Sequence, residues 1–299
     1  MKGVITMKLS GVISPITTPF QNGKVAWDKL KENFTKWNRT GLSGFLVLGS
    51  NGEAVYLNDK EKLKLIEVSR ESIPSSKVMV VGTGLESTRE TIRFTNQAAR
   101  MGANFGLVVT PSYFKGSMKP QILHDHFVSV AEGSRMGILL YNVPQFTGIN
   151  MEPELVARLS EHPNIVGIKD SSGNIGQLNE IISLSRKDFR VFVGSAPVFL
   201  PALFIGAVGG LLAVADAVPD ECVRMMKLFE TKKFDEARDL QNRLTPLAKA
   251  VTVKYGIGGL KKAMDLAGYF GGDPRPPLKR VGPEVEQELQ GLLDRLKGL

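Results

Sequence analysis

The sequence predicts an α/β fold, a TIM (β/α)8 barrel followed by a C-terminal helical extension. Eight short apolar runs alternate strictly with eight helical segments over roughly 230 residues, which is the count and length of such a barrel. The runs are continuous in Val, Ile and Leu, as in parallel strands that are covered on both faces. A doubly wound open sheet is the alternative, but no G-x-G-x-x-G turn follows the first run.

The elements follow one another in a regular order. The predicted strands are GVISPITTPF, GFLVLGS, VMVVGTG, FGLVVTP, GILLYNVP, IVGIKDSSG, VFVGS and GLLAV. The predicted helices lie at 27–39, at 59–72, in ESTRETIRFTNQAARMG (where Ser87 and Glu90 have capping-box spacing), at 120–132, and in MEPELVARLSEH, IGQLNEIISLSR, APVFLPALFIGA and PDECVRMMKLFE.

Beyond residue 233 the sequence predicts helices only. They lie at 234–254, 258–267 and 283–297, and YGIG separates the first two. We therefore expect residues 1–233 to form the barrel with its active site. Residues 234–299 are expected to form a helical region packed on the barrel.

Composition excludes several classes of protein. The chain has 299 residues, of which 42% are hydrophobic and 23% charged, as in ordinary soluble domains. Cys222 is the only cysteine, so an intrachain disulfide and a cysteine-based zinc site are excluded and a cytoplasmic location is expected. No apolar run is long enough to span a membrane, and the first residues read as a short tail without a signal peptide. The net charge of +8 is scattered, which argues against nucleic acid.

Chemistry in such a barrel lies at the carboxyl ends of the strands. Histidine sites are not expected there, because His124, His126 and His162 lie on or beside helices and read as surface or supporting groups. We therefore expect no metal, no cofactor and no Ser-His-Asp triad. The side chains at the strand ends are Ser50, Asn51 and Glu53, then Thr110, Ser112 and Tyr113, then Tyr141 and Asn142, then Lys169, Asp170 and Ser171, and finally Leu211 and Ala213.

Lys169 is the outstanding candidate, since a lysine seldom ends a buried strand. A lysine amine desolvated in a barrel mouth can lose its proton and attack a carbonyl carbon to form a Schiff base. Tyr141 on the neighbouring strand could relay protons, and the small residues of GSN could hold a carboxylate in backbone amides. The alternative is structural, with Lys169 paired to Asp170 and Tyr141 filling the barrel.

Four motifs carry a resemblance to a known family. They are GSNGE at Gly49–Glu53, VVTPSYF at Val108–Phe114, YNVP at Tyr141–Pro144 and GIKDSSG at Gly167–Gly173. In order and spacing they resemble the dihydrodipicolinate synthase and N-acetylneuraminate lyase superfamily of class I, pyruvate-dependent aldolases. The resemblance runs from about Leu9 to the C-terminus. It implies a TIM barrel with a C-terminal helical region, usually in a homotetramer.

The resemblance also implies roles for individual residues. Lys169 would form the Schiff base with pyruvate or a 2-oxo acid, and Tyr141 would be the general acid and base. Ser50 would link the tyrosines into a proton relay, and with Asn51 it would bind the substrate carboxylate. Tyr113 matches a tyrosine that, in the synthases, reaches a neighbour's active site. Further implied positions are Ser171 near the lysine and the backbone carbonyl of Leu211, which would face the bound keto acid. We interpret Glu53 as a structural residue that holds the loop.

One position departs from the synthase pattern. The synthases carry an arginine two residues beyond the YNVP proline, where it binds the second substrate's carboxylate, and here that residue is Phe146. A phenyl ring cannot replace a guanidinium–carboxylate contact. Synthase activity is therefore not expected. The segments GSNGE, HPNIVGIKDSSG, GAVGG and especially YGIGGLKKAMDLAGYFGGDPRPPL resemble the pattern of 4-hydroxy-2-oxoglutarate aldolase, the most similar subfamily. It implies cleavage to pyruvate and glyoxylate.

Three alternatives remain open at this stage. The first is a dihydrodipicolinate synthase that condenses pyruvate with aspartate semialdehyde. The others are a sugar-acid lyase and a catalytically inactive barrel that only binds oxo acids.

Overall fold

The computed structural model describes residues 9–298 and contains a closed barrel of eight parallel strands. Each strand pairs with its neighbours in sequence, and the first pairs with the last. The predicted fold class and the number of barrel strands are therefore confirmed. The strands are β1 (Gly11–Ser14), β2 (Gly44–Val47), β3 (Val78–Gly82), β4 (Phe105–Val109), β5 (Gly137–Asn142), β6 (Ile165–Asp170), β7 (Arg190–Val193) and β8 (Gly209–Leu211).

A helix follows each strand and covers the outside of the barrel. A further short helix, Pro144–Thr147, lies in the loop after β5. The predicted capping residue Ser87 accepts a hydrogen bond from the amide of Glu90, at 3.5 Å. The covering helices are α1 (Trp27–Trp37), α2 (Asp59–Ser72), α3 (Thr88–Arg100), α4 (Pro120–Gly133), α5 (Pro153–Ser160), α6 (Ile175–Leu184), α7 (Phe199–Phe204) and α8 (Pro219–Glu230).

Three helices complete the chain: α9 (Phe234–Lys249), α10 (Gly256–Leu266) and α11 (Pro283–Lys297). A π-helical turn, Ala250–Lys254, follows α9, and α10 begins at Gly256. The prediction that YGIG separates two helices is therefore wrong, since only its first residue, Tyr255, lies between the helical segments. These helices pack on the barrel. The Gln241 amide, for example, accepts from Leu200 N and donates to Ala196 O. The boundary at residue 233 remains a prediction.

The apolar residues form two separate layers. Inside the barrel lie Ile13, Leu46, Val80, Leu107, Leu139, Tyr141, Phe192 and Leu211, among others, all buried. A larger cluster fills the space between the strands and the helices. Because both faces of each strand are covered, the strands are apolar runs rather than alternating patterns.

A hairpin in the loop between β1 and α1 was not predicted. Phe20–Gln21 pairs with Lys24–Val25 in antiparallel fashion. Asn22 and Gly23 both have positive φ, 52° and 73°, as a two-residue type I′ turn requires. The Asn-Gly pair in the sequence is a signal for such a turn. The hairpin lies at the carboxyl end of the barrel and packs against the C-terminal region, where Asp273 N donates to Phe20 O.

Three further expectations concern single residues and the tail. Cys222 is buried and burial raises the pKa of its thiol, so it is an inert packing group.

His126 is not a surface group. It is buried on α4 with Nδ1 2.8 Å from Thr88 Oγ1, and desolvation lowers its pKa to about 4. The predicted N-terminal tail lies outside the described residues, among which no helix could cross a bilayer.

A buried carboxyl group joins the first and last strands. Asp216 follows β8 in a 3-10 turn, and its carboxyl accepts from Ser14 Oγ and from Thr17 N, the latter at 2.9 Å. Trp37 Nε1 donates to the backbone oxygen of Asp216 at 3.0 Å. Burial raises the pKa of Asp216 to about 8, although both hydrogen bonds to the carboxyl act in the opposite direction.

Asp216→Asn should therefore change the pH dependence of stability. The folded-state pKa lies above the ordinary value of 3.8, so between the two values only the unfolded state loses its proton and the free energy of unfolding falls as pH rises. The asparagine can accept from Thr17 N and donate to Ser14 Oγ. We expect the free energy of unfolding of the variant, relative to that of the wild type, to increase by on the order of 4 kcal/mol from pH 5 to pH 8.

Denaturant unfolding across that pH range measures the difference. The matched control is Asp239→Asn, since the side chain of Asp239 is 68% exposed and should give no comparable trend. A variant that is less stable than the wild type by the same amount at every pH would show that the carboxyl group is ionised in the folded protein.

Candidate active site

Lys169 and Tyr141 lie side by side at the carboxyl end of the barrel. The register of β5 and β6 pairs Tyr141 with Lys169 directly. Both side chains are buried, with 5% and 4% of their surface exposed. Lys169 Nζ lies 4.4 Å from the centroid of the Tyr141 ring. The two groups that the sequence singled out are therefore brought together inside the barrel mouth.

The structural alternative for Lys169 required an ion pair with Asp170. Within residues 9–298, no carboxylate lies within ion-pairing distance of Lys169. Asp170 is fully buried, and its carboxylate accepts from Asn142 Nδ2 at 2.7 Å, Gln177 Nε2 at 2.9 Å and Ser172 N at 2.9 Å. Successive strand residues point to opposite faces, so Asp170 points away from the face that carries Lys169. The hydrogen bonds to its carboxylate hold the ends of β5 and β6 in place.

Gly194, the residue after β7, is a site residue that the sequence reasoning missed. A Cβ at this position would stand 1.9 Å from Ser171 Oγ and 2.9 Å from Lys169 Cε. Any larger residue would therefore displace the lysine side chain. A glycine directly after a buried strand is a signal for such a close approach, and VFVGS carried it.

Ser50 approaches the other end of the tyrosine. Its Oγ lies 3.4 Å from the Tyr141 hydroxyl, and either oxygen can donate. Ser50 and Asn51 occupy a tight turn after β2, in which Gly52 N donates to Gly49 O and Glu53 N donates to Ser50 O. Ser50 is exposed at the mouth, so its hydroxyl is open to a ligand from outside.

Ser171 and Leu211 lie where the sequence placed them. Ser171 is buried two residues beyond Lys169, and its amide donates to Asn142 O at 2.9 Å. Leu211 is the last residue of β8 and belongs to the inner layer of the barrel together with Tyr141.

Tyr113 and Phe146 are not part of this buried group in the single chain. Their side chains are 79% and 65% exposed, in the loops after β4 and β5. Among the described residues no hydrogen bond joins the Tyr113 hydroxyl to Tyr141. Each loop is nevertheless anchored, since Glu86 accepts from the Tyr113 amide at 3.0 Å and Gln145 Nε2 donates to Ser171 O at 3.2 Å.

This arrangement fits covalent lysine chemistry. A buried amine without a carboxylate partner is a nucleophile for a carbonyl carbon once it is unprotonated. The phenol beside it can exchange protons with the carbonyl oxygen and with the neighbouring carbon. Ser50 can pass those protons outward through the contact with Tyr141. Within the described chain no cluster of three or more His, Cys, Asp or Glu side chains could hold a metal ion.

Comparison with known proteins extends these observations to the whole chain. Residues 8–296 match the model of the dihydrodipicolinate synthetase family. The 4-hydroxy-tetrahydrodipicolinate synthase of Methanothrix thermoacetophila is 36% identical over 291 residues, which cover 97% of both chains. The enzyme of the same name from Nostoc punctiforme is also 36% identical, over 95% of this chain and 97% of its own.

Solved structures agree with this assignment. Dihydrodipicolinate synthase from Thermotoga maritima superimposes with a TM-score of 0.92 at 30% identity, over 97% of this chain and 99% of its own. The 4-hydroxy-tetrahydrodipicolinate synthase of Methylacidiphilum fumariolicum gives 0.92 at 28%, over 97% of both chains. The chain therefore belongs to the dihydrodipicolinate synthetase family, and it is a carbon–carbon lyase that forms a Schiff base between a lysine and pyruvate.

Proposed function

We propose that Lys169 is the lysine that binds pyruvate and that Tyr141 moves the protons of the reaction. The observation that carries the proposal is the buried amine 4.4 Å from the phenol ring, with no carboxylate of the described chain in ion-pairing distance. The amides of the Ser50–Asn51 turn would hold the pyruvate carboxylate.

The steps follow from these positions. Lys169 Nζ adds to the keto carbon of pyruvate, and the carbinolamine loses water to give the protonated imine. The imine draws electrons from the methyl carbon, which loses a proton and becomes an enamine carbon. That carbon attacks an aldehyde, whose oxygen takes a proton delivered through Tyr141 and Ser50. Water then releases the product from Lys169. Cleavage of a 4-hydroxy-2-oxo acid is the reverse sequence.

The first candidate for the aldehyde is aspartate semialdehyde. The relatives named above are 4-hydroxy-tetrahydrodipicolinate synthases, and none of them is called a 4-hydroxy-2-oxoglutarate aldolase. They support the synthase reaction, the alternative in the sequence analysis, better than the aldolase reaction that the sequence favoured. A positive group also lies beside Gly148, two residues beyond Phe146. Lys115 packs beside Gly148, with Nζ 3.7 Å from where a Cβ would stand, and it could bind the carboxylate of the aldehyde.

The second candidate is cleavage of 4-hydroxy-2-oxoglutarate to pyruvate and glyoxylate. It is favoured by Phe146, which stands where the synthases carry an arginine and is 65% exposed at the barrel mouth. Glyoxylate carries its carboxylate directly on the aldehyde carbon, whereas the carboxylate of aspartate semialdehyde is farther from that carbon. The binding of glyoxylate should therefore depend less on a guanidinium at position 146.

The assembly and location are part of the same proposal. We infer a cytoplasmic homotetramer in which Tyr113 reaches the active site of a neighbouring chain. Its exposed side chain contacts Phe114 edge to face, with ring centroids 5.0 Å apart, and both rings are available to a partner.

Borohydride reduction in the presence of pyruvate should leave a 1-carboxyethyl group on Lys169. Mass spectrometry of the digested protein locates it. Lys169→Ala should give no adduct and should lose activity, because it removes the amine that lies beside Tyr141. Lys262→Ala, which removes a partly exposed lysine on α10, is the control and should still be labelled at Lys169. An adduct on a different lysine, or full turnover by Lys169→Ala, would refute the assignment.

Tyr141→Phe should lower kcat by about 10²–10⁴-fold, the usual contribution of a general acid or base. Ser50→Ala should cost less, about tenfold, since its hydroxyl acts through the contact of 3.4 Å with Tyr141. Steady-state kinetics with saturating substrates measures both losses. A larger loss in Ser50→Ala than in Tyr141→Phe would contradict the proposed order of proton transfer.

The second substrate can be decided by two rates measured on the wild type. One is pyruvate release from 4-hydroxy-2-oxoglutarate, and the other is condensation of pyruvate with aspartate semialdehyde. Much faster condensation supports the first candidate, and Lys115→Met should then raise the KM for the semialdehyde. Much faster cleavage supports the second candidate.

Phe146→Arg tests the same question by adding the missing contact. A charged hydrogen bond contributes about 1.5–3 kcal/mol, so kcat/KM for aspartate semialdehyde should rise by roughly 10–100-fold. Phe146→Leu removes the ring without adding charge and is the matched control. Equal effects of the two substitutions would mean that no carboxylate is bound at this position.

A further inference from the structure

Two opposite charges, Glu53 and Lys261, are buried together beside the active site. Each side chain is 1% exposed, and Lys261 Nζ lies 2.6 Å from Glu53 Oε1. Glu53 belongs to the turn after β2, whereas Lys261 lies on α10 in the C-terminal helical region. Its segment, YGIGGLKKAMDLAGYFGG, had no function that the sequence could assign.

Both members of the pair have further contacts with the backbone. Lys261 Nζ also donates to Thr18 O at 2.8 Å and to Asp273 O at 2.6 Å, so two backbone carbonyls hold it in addition to the ion pair. Glu53 Oε2 accepts from Arg275 N at 2.7 Å. Burial lowers the pKa of Lys261, and the charge of Glu53 acts against that shift. Burying two ions costs free energy that their attraction often fails to return, so stability alone is a weak reason for this pair.

The pair holds the turn that carries Ser50 and Asn51. Glu53 has a φ of 54°, a left-handed conformation that costs free energy in any residue other than glycine and persists where its surroundings enforce it. Its amide closes the turn on Ser50 O at 3.0 Å, and Thr18 Oγ1 donates to Gly52 O at 2.7 Å. Lys261 contacts the Glu53 carboxylate within the turn and the carbonyl oxygen of Thr18, whose hydroxyl binds Gly52 O. It therefore restrains the turn through two separate contacts.

We propose that Glu53 and Lys261 are positioning residues through which α10 fixes the turn that binds the pyruvate carboxylate. The C-terminal helical region then contributes to substrate binding in addition to packing on the barrel. This rests on the proposed function of the Ser50–Asn51 turn. When the pair is lost, pyruvate binding weakens while Lys169 keeps its chemistry.

The test uses the double variant Glu53→Gln/Lys261→Met. Each single substitution leaves one buried charge without a partner and is expected to unfold the chain in part, whereas the double variant leaves none. We expect a folded protein in which the pyruvate concentration for half-maximal borohydride trapping of Lys169 rises about tenfold or more, with the same final yield at saturation. Lys262→Met/Glu286→Gln is the control. It removes the next ion pair on α10, 3.1 Å long and partly exposed, and should leave both values unchanged.

A second measurement does not depend on pyruvate. Hydrogen exchange of the backbone amides in Gly49–Glu53 should be faster in the double variant than in the wild type and the control. Two results together would overturn the positioning proposal: half-maximal trapping of the double variant at the same pyruvate concentration as the wild type, and amide exchange at the wild-type rate. If the wild type itself formed no adduct, the proposed function would fail, and the exchange rates alone would decide whether the pair holds the turn.

Discussion

The chemistry of this barrel depends on the register between β5 and β6, which places Tyr141 directly beside Lys169. A shift of one strand by one residue would turn either Tyr141 or Lys169 out of the barrel, because alternate strand residues face opposite sides. The next pair in the ladder opposes that shift. Asn142 lies opposite Asp170, and its amide donates to the buried carboxylate at 2.7 Å. A charge on the outer face of the strands thus maintains the geometry on the inner face.

Two buried lysines show how environment separates a structural group from a reactive one. Lys261 has a carboxylate at 2.6 Å and two carbonyl oxygens as acceptors, so its ammonium is neutralised and hydrogen-bonded. Lys169 lies 4.4 Å from an aromatic ring, and in the part of the chain that the structure describes it has no carboxylate partner. A buried charge without a partner is costly. Without such a partner, the amine of Lys169 is available to add to a carbonyl carbon.

Much of this could be predicted from sequence, because the signals are local. Continuous apolar runs predicted the strands, and the polar residues after them predicted that Lys169, Tyr141 and Ser50 would meet at one end of the barrel. The Glu53–Lys261 pair could not be predicted, since nothing in either segment indicates that residues so far apart in the chain are in contact. The Asn-Gly turn at Asn22 was visible in the sequence, and there the prediction failed by omission.

The choice of second substrate depends on fewer residues than the fold does. Identity over the whole chain reflects the barrel and the pyruvate site, which the synthase and aldolase reactions share. It therefore bears most strongly on the first half of the reaction, and for the second half it favours aspartate semialdehyde only through the names of the relatives. One cation that binds the carboxylate of the aldehyde is worth roughly 10–100-fold in rate. Phe146 cannot supply such a cation, whereas Lys115 can. These two residues therefore bear on specificity more directly than overall similarity does.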